Sequence, residues 1–101
     1  MDNVLYQREE FIIFKGCGGY IVYNTKKDFE LGHTHLKSFK KSKSIIDLMF
    51  SHKVPHNESI RFLESILRVS NDTKYKERIQ EQIDIKKAKG KKMKYVNNTL
   101  T

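Results

Sequence analysis

The chain has 101 residues and a formal net charge of +8, with 20 Lys and Arg side chains against 12 Asp and Glu. This length suits one compact domain, because two independent cores would each be too small to bury enough apolar surface. The N-terminal segment carries acid where a secretory signal carries base, and no stretch reaches the apolar length of a membrane span. We therefore expect a cytoplasmic protein that makes no membrane contact, with its single cysteine outside any internal disulfide.

Residues 11–24, FIIFKGCGGYIVYN, predict a β-hairpin. Two runs rich in Ile, Val, Phe and Tyr favour strands, and three glycines in the four-residue connection allow positive φ angles. Both runs carry apolar side chains on both faces, so another element must pack against each face of the hairpin. Helices are expected on one side, with residues 3–7, NVLYQ, as a third strand or a partner on the other.

Three amphipathic helices are predicted after Gly32. The first covers residues 34–52, the second lies within residues 56–71, and the third starts near residue 71 and runs to residue 90. Their predicted capping or terminating residues are Thr34, Pro55, Asn57, Asn71 or Asp72, and Gly90.

These elements predict an α+β fold in which an N-terminal hairpin, of two or three strands, packs on a three-helix unit in the order β-β-α-α-α. The third helix has a narrow apolar stripe, Tyr75, Ile79 and Ile83, that fades before Lys86. Residues 1–85 are therefore expected to form a single compact domain and residues 86–101 a basic, flexible C-terminal tail.

The motif G-H-T-H at residues 32–35 has two interpretations. Alternating histidines can share a transition metal ion, and a metal-dependent enzyme would use Cys17, His33 and His35. The spacings match no recognised zinc motif, however, and Pro55 separates the other two histidines. The favoured interpretation is a helix entrance with structural histidines, so we predict no catalytic residue, no metal site and no cofactor.

Basic charge increases along the chain and predicts a polyanionic partner. Residues 1–35 hold four Lys and Arg against five Asp and Glu, residues 36–70 hold seven against three, and residues 71–101 hold nine against four. Each lysine near a phosphate releases a condensed counterion, which favours nucleic-acid binding with little sequence preference. The alternative is a lysine-rich surface that only keeps the protein soluble. The candidate contact residues form two patches: Lys37, Lys40 and Lys41, and then Lys86, Lys87, Lys89, Lys91, Lys92 and Lys94.

The run YIVYNTKKDFELGHTHLKSF, with the later IIDL, VP and RVSND, resembles a group of small, uncharacterised proteins encoded by phages, plasmids and conjugative elements of Firmicutes. The resemblance covers roughly residues 20 to 83 and offers no catalytic residues to carry over. It implies an accessory protein of a mobile element that acts in a bacterial host cell, and inhibitors of the anti-CRISPR type are among the proteins of this origin. A basic inhibitor of that type would contact guide RNA, bound nucleic acid or an acidic protein face.

Three functional hypotheses follow from the sequence. The first is a non-enzymatic binder of DNA, RNA or a ribonucleoprotein, with the lysine patches as its contact surface. The second is a protein-interaction module that uses the hairpin edge or an apolar helical face, with a partner or as a homodimer. The third is the metal-dependent enzyme described above.

Overall fold

The structure is a computed structural model that describes the backbone of residues 3–100 and the side chains of residues 3–90. It confirms the predicted α+β class: the described residues form a four-stranded antiparallel sheet, in the order β1-β2-β3-β4, and four helices. None of those helices combines the length and the apolar content needed to cross a membrane. The elements in chain order are β1 Val4–Arg8, β2 Phe11–Gly16, β3 Gly19–Asn24, α1 Phe29–Gly32, β4 His33–Leu36, α2 Phe39–Ser51, α3 Ile60–Val69 and α4 Thr73–Leu100.

The predicted hairpin is confirmed and forms the centre of the sheet. Its strands, β2 and β3, pair in register up to Gly16 opposite Gly19, which leaves only Cys17 and Gly18 in the turn. Both turn residues have positive φ angles, 53° and 76°, as a type I′ hairpin turn requires. A Cβ on Gly19 would lie 2.5 Å from the Leu36 carbonyl oxygen, so this glycine allows the next strand to approach.

Two further strands flank the hairpin. The candidate third strand at residues 3–7 is confirmed as β1, which pairs antiparallel with β2. The fourth strand, β4, pairs antiparallel with β3, with His33 opposite Tyr23 and His35 opposite Ile21. The observed order of the elements is therefore β-β-β-α-β-α-α-α, whereas β-β-α-α-α was predicted.

The prediction of a helix entrance at residues 34–36 was wrong, because these residues belong to β4. Thr34 is buried, and its hydroxyl donates to Ser65 Oγ at 2.7 Å instead of capping a helix. The adjacent helix α2 begins later, at Phe39, and its N-cap is Ser38, whose hydroxyl accepts from the Lys41 amide. Pairing with the open edge of β3 satisfies the backbone hydrogen-bonding groups of β4. The local spacing of apolar residues in the sequence does not reveal this non-local pairing.

The other helix ends follow capping rules, although the predicted cap of α3 was wrong. Helix α2 ends at Ser51, four residues before Pro55, and the following His52 adopts a left-handed conformation. The N-cap of α3 is Ser59, not Asn57. Asp72 is confirmed as a cap of α4, since its Oδ1 accepts from the Tyr75 amide at 3.1 Å.

The hydrophobic core lies between the inner face of the sheet and the helices α2, α3 and α4. Fully buried aliphatic side chains come from each layer and include Ile13, Val22, Ile45, Leu63 and Ile79. Asn24 is a polar residue of the sheet that is fully buried, and its Nδ2 donates to the Val69 carbonyl at 2.8 Å. This bond ties the end of β3 to the end of α3.

Helix α4 joins the core through its first three turns. The predicted stripe of Tyr75, Ile79 and Ile83 is confirmed as buried, whereas Ile85 is already 42% exposed. The helix continues past Gly90, where an end was predicted, because glycine inside a helix costs only about 1 kcal/mol relative to alanine. The predicted flexible tail lies largely outside the described side chains and stays a prediction.

Candidate nucleic-acid interface

The first predicted lysine patch lies at the junction of β4 and α2. Lys37 lies in the link between these elements, and Lys40 and Lys41 lie in the first turn of α2. All three side chains are exposed. The structure divides the patch, because Lys37 and Lys41 line a cleft and Lys40 lies outside it.

This cleft is open to solvent and has a volume of about 830 Å³. The β2-β3 turn, strand β4, the start of α2 and helix α3 form its walls. Four cationic side chains and two carboxylates line it: Lys37, Lys41, Arg61 and Arg68, with Glu58 and Glu64. Cations therefore outnumber carboxylates two to one, and the cleft also reaches the edge histidines of β4.

One cation of the cleft is already paired inside the protein. Lys41 Nζ lies 2.7 Å from both carboxylate oxygens of Glu58, and it also lies over the Phe62 ring, 5.2 Å from the centroid. Within residues 3–90, neither Lys37 nor Arg61 has a carboxylate within salt-bridge distance. Those two side chains are the ones best placed to meet an external anion.

Arg68 has a structural role that the sequence did not reveal. Its Nε donates to the His33 carbonyl at 2.9 Å and its Nη2 donates to the Glu30 carbonyl at 2.6 Å, so it holds α1 and β4 against α3. Glu64 lies one turn before Arg68 on α3, but this pair is not among the salt bridges of residues 3–90. The i, i+4 spacing is the signal that the sequence offers for Arg68, and it indicates Glu64 instead of the carbonyls that Arg68 contacts.

Lys27 adds a further cation beside Arg68. Its Nζ donates to the carbonyl oxygens of Arg68 and Ser70 at 3.0 and 2.9 Å, which satisfies the C-terminal end of α3. Partial burial, followed by the nearby cations Lys76 and Arg68, lowers the pKa of Lys27 below its ordinary value. The cluster raises the local positive potential on this side of α3.

The second predicted patch begins where α4 leaves the core. Lys87 and Lys89 are exposed and Lys86 is partly exposed, about one turn beyond Ile83, which is the last buried residue among the described side chains. No Asp or Glu follows Asp84 in the sequence, so the charge of this end is uncompensated along the chain. The remaining predicted contact residues are Lys91, Lys92 and Lys94, and their side chains lie outside the described residues.

The structure brings together two of the three residues of the alternative metal site. His33 and His35 project from the same face of β4, with their Nε2 atoms 3.1 Å apart. Cys17 is exposed in the β2-β3 turn. Among the described residues, no three His, Cys, Asp or Glu side chains are grouped to hold a metal ion.

Comparison of the chain with protein-family models, curated proteins and solved structures found no match.

Proposed function

We propose that this chain is a non-enzymatic binder of nucleic acid, either free or within a ribonucleoprotein. The observation that supports this proposal most strongly is the lysine-rich end of α4: six lysines lie between residues 86 and 94, and no acid follows Asp84. Among the described side chains of α4 burial ends at Ile83, so Lys86, Lys87 and Lys89 can meet a partner without disturbing the packed body. Lysines presented in this way release counterions from a phosphate backbone.

In the proposed binding mode, the cleft supplies a second point of contact. Lys37 and Arg61 line its wall and are exposed, whereas Lys41 is held by Glu58. Lysine and arginine contacts of this kind fix the position of a nucleic acid without reading its sequence. The first half of α4 carries Glu77 and Glu81, whose charges oppose insertion of that half into a groove.

The proposal contains no catalytic residue. Cys17 is exposed in a two-residue turn, and His33 and His35 contact each other. The proposed setting is a mobile-element accessory protein in a bacterial host, acting as an inhibitor of the anti-CRISPR type. This setting rests on the resemblance of residues 20 to 83 alone.

The experiment that tests this function compares the full chain with a 1–85 truncation in fluorescence anisotropy. The probes are labelled duplex DNA, single-stranded DNA and a structured RNA of equal length. We expect the full chain to bind at 50 mM salt and the truncation to bind at least tenfold more weakly to the best probe. Absence of binding to all three probes by the full chain would contradict the proposal.

A second candidate function is protein interaction, which exposed apolar side chains favour. Leu5 on β1 is 50% exposed, and Phe29 and Leu31 on α1 are 42% and 67% exposed. Deletion of residues 86–101 would leave this activity intact. Sedimentation velocity at micromolar concentration tests its homodimeric form, in which Leu31→Asp shifts a dimer to monomer while Leu5→Ala serves as the milder comparison.

A further inference from the structure

His33 is held in a fixed position by its surroundings. Its ring stacks on Phe29 with centroids 4.0 Å apart and an interplanar angle of 4°. Its Nδ1 contacts the Phe29 carbonyl oxygen. A carbonyl oxygen can only accept, so Nδ1 carries the proton and the neutral ring keeps the lone pair of Nε2 available. Metal-binding histidines are oriented by this same kind of bond from the second ring nitrogen to a backbone carbonyl.

His35 brings a second imidazole nitrogen to the same point. Residues at i and i+2 of a strand lie on one face, and here the two Nε2 atoms lie 3.1 Å apart. Two nitrogens bound to one metal ion at about 2.0–2.1 Å are about 2.8–3.4 Å apart for bond angles between a right angle and the tetrahedral value. The observed separation falls within that range. His35 is exposed, so its ring can turn toward a shared ion without displacing a packed neighbour.

We propose that His33 and His35 form a two-imidazole site for a divalent late transition metal ion such as Cu²⁺, Ni²⁺ or Zn²⁺. Imidazole nitrogen suits these ions, whereas Mg²⁺ and Ca²⁺ prefer oxygen ligands. In the apo chain the Nε2 proton of His35 bonds to Nε2 of His33. When metal binds, that proton moves to Nδ1 of His35, so both Nε2 atoms offer lone pairs and the charge of each ring is unchanged.

The site has two protein ligands, because no third His, Cys, Asp or Glu joins them among the described residues. Its other coordination positions face solvent and accept water or an anion. The edge of β4 lies along the cationic cleft, which both histidines help to line. This proposal reverses the sequence-based expectation of no metal site and is independent of the proposed nucleic-acid binding.

Isothermal titration of the tag-free, full-length chain with CuCl₂ and ZnCl₂ tests the site. We expect saturable binding of one Cu²⁺ per chain, and a spectrum of nitrogen ligation in electron paramagnetic resonance. His35→Ala is expected to weaken Cu²⁺ binding at least about tenfold and to remove one nitrogen ligand from that spectrum. His33→Phe, which preserves the stacking on Phe29, is expected to do the same.

The matched control is His52→Asn, which removes a histidine while keeping a residue that tolerates the left-handed conformation at the end of α2. This variant should bind Cu²⁺ as the wild type does. Equal affinity in the wild type and His35→Ala would overturn the proposal, as would loss of binding in His52→Asn alone. Because His35 is exposed, its variant is expected to fold, so the test does not depend on the packed His33.

Discussion

Removing the charge of the described lysines at the end of α4 should weaken nucleic-acid binding in a calculable way. The variant carries Lys86→Gln, Lys87→Gln and Lys89→Gln, which keep long polar side chains on the helix. If each lysine contacts one phosphate, the slope of log K against log salt becomes shallower by about 2.7 for duplex DNA and about 2.1 for a single strand. Lysine–phosphate contacts contribute little at 1 M salt, so over the decade from 1 M to 0.1 M this change in slope corresponds to a loss of affinity at 0.1 M of about 500-fold for duplex DNA and about 100-fold for a single strand.

Fluorescence anisotropy across a salt series measures both the affinity and the slope. A control variant removes the same charge from lysines that lie elsewhere and do not line the cleft, namely Lys26, Lys53 and Lys74. It should lose affinity only through the change in net charge, and its slope should stay close to that of the wild type. An equal loss of affinity in the two triple variants would contradict this prediction. So would a salt slope of the α4 variant equal to that of the wild type.

Three further predictions concern the body of the fold. Asn24→Ala leaves the buried Val69 carbonyl without its 2.8 Å donor and should lower the free energy of unfolding by about 1–3 kcal/mol in a urea titration; a midpoint equal to that of the wild type would contradict this. Burial raises the pKa of Tyr75 from 10.0 to about 12, so its stabilising effect is complete below pH 10 and is lost as the pH rises toward 12. The stability of Tyr75→Phe should therefore fall less steeply over that interval, and parallel curves would argue against the assignment. Thr34→Val removes the 2.7 Å bond to Ser65 and should cost about 1–3 kcal/mol, part of which the double variant with Ser65→Ala recovers; additive losses in thermal unfolding would refute the pairing.

The hairpin and the apolar stripe of α4 were predictable because their signals are local. Alternating β-branched and aromatic residues around a glycine-rich turn specify β2 and β3, and the spacing of Tyr75, Ile79 and Ile83 specifies one helical face. Asp72 was one of the two predicted caps of α4 for the same reason, since capping is a contact within one turn.

Strand β4 was not predictable from local pattern, because non-local contacts stabilise it. Its four residues are two histidines, a threonine and a leucine, and of these only the threonine favours a strand. Pairing with β3 and the buried bond between Thr34 and Ser65 determine its conformation, and Ser65 is 31 residues away in the sequence. The helical spacing of Leu36 and Phe39 favoured the wrong assignment.

Only part of the candidate site could likewise be predicted from the sequence. The lysine patches could be found from sequence because charge density is a property of composition. The role of Arg68 could not, because it donates to carbonyls of α1 and β4 that only the fold brings near α3. The convergence of His33 and His35 also depends on the strand, since only an extended backbone places both rings on one face.

The salt dependence of nucleic-acid binding by the wild-type chain is the most direct test of whether its lysines bind phosphates. If the six lysines between residues 86 and 94 all contact phosphates, log K should fall linearly with log salt, with a slope of about −5.4 on duplex DNA. A slope near zero, or no binding at 50 mM salt, would contradict a phosphate-binding role for the lysines and would favour a protein partner for this chain.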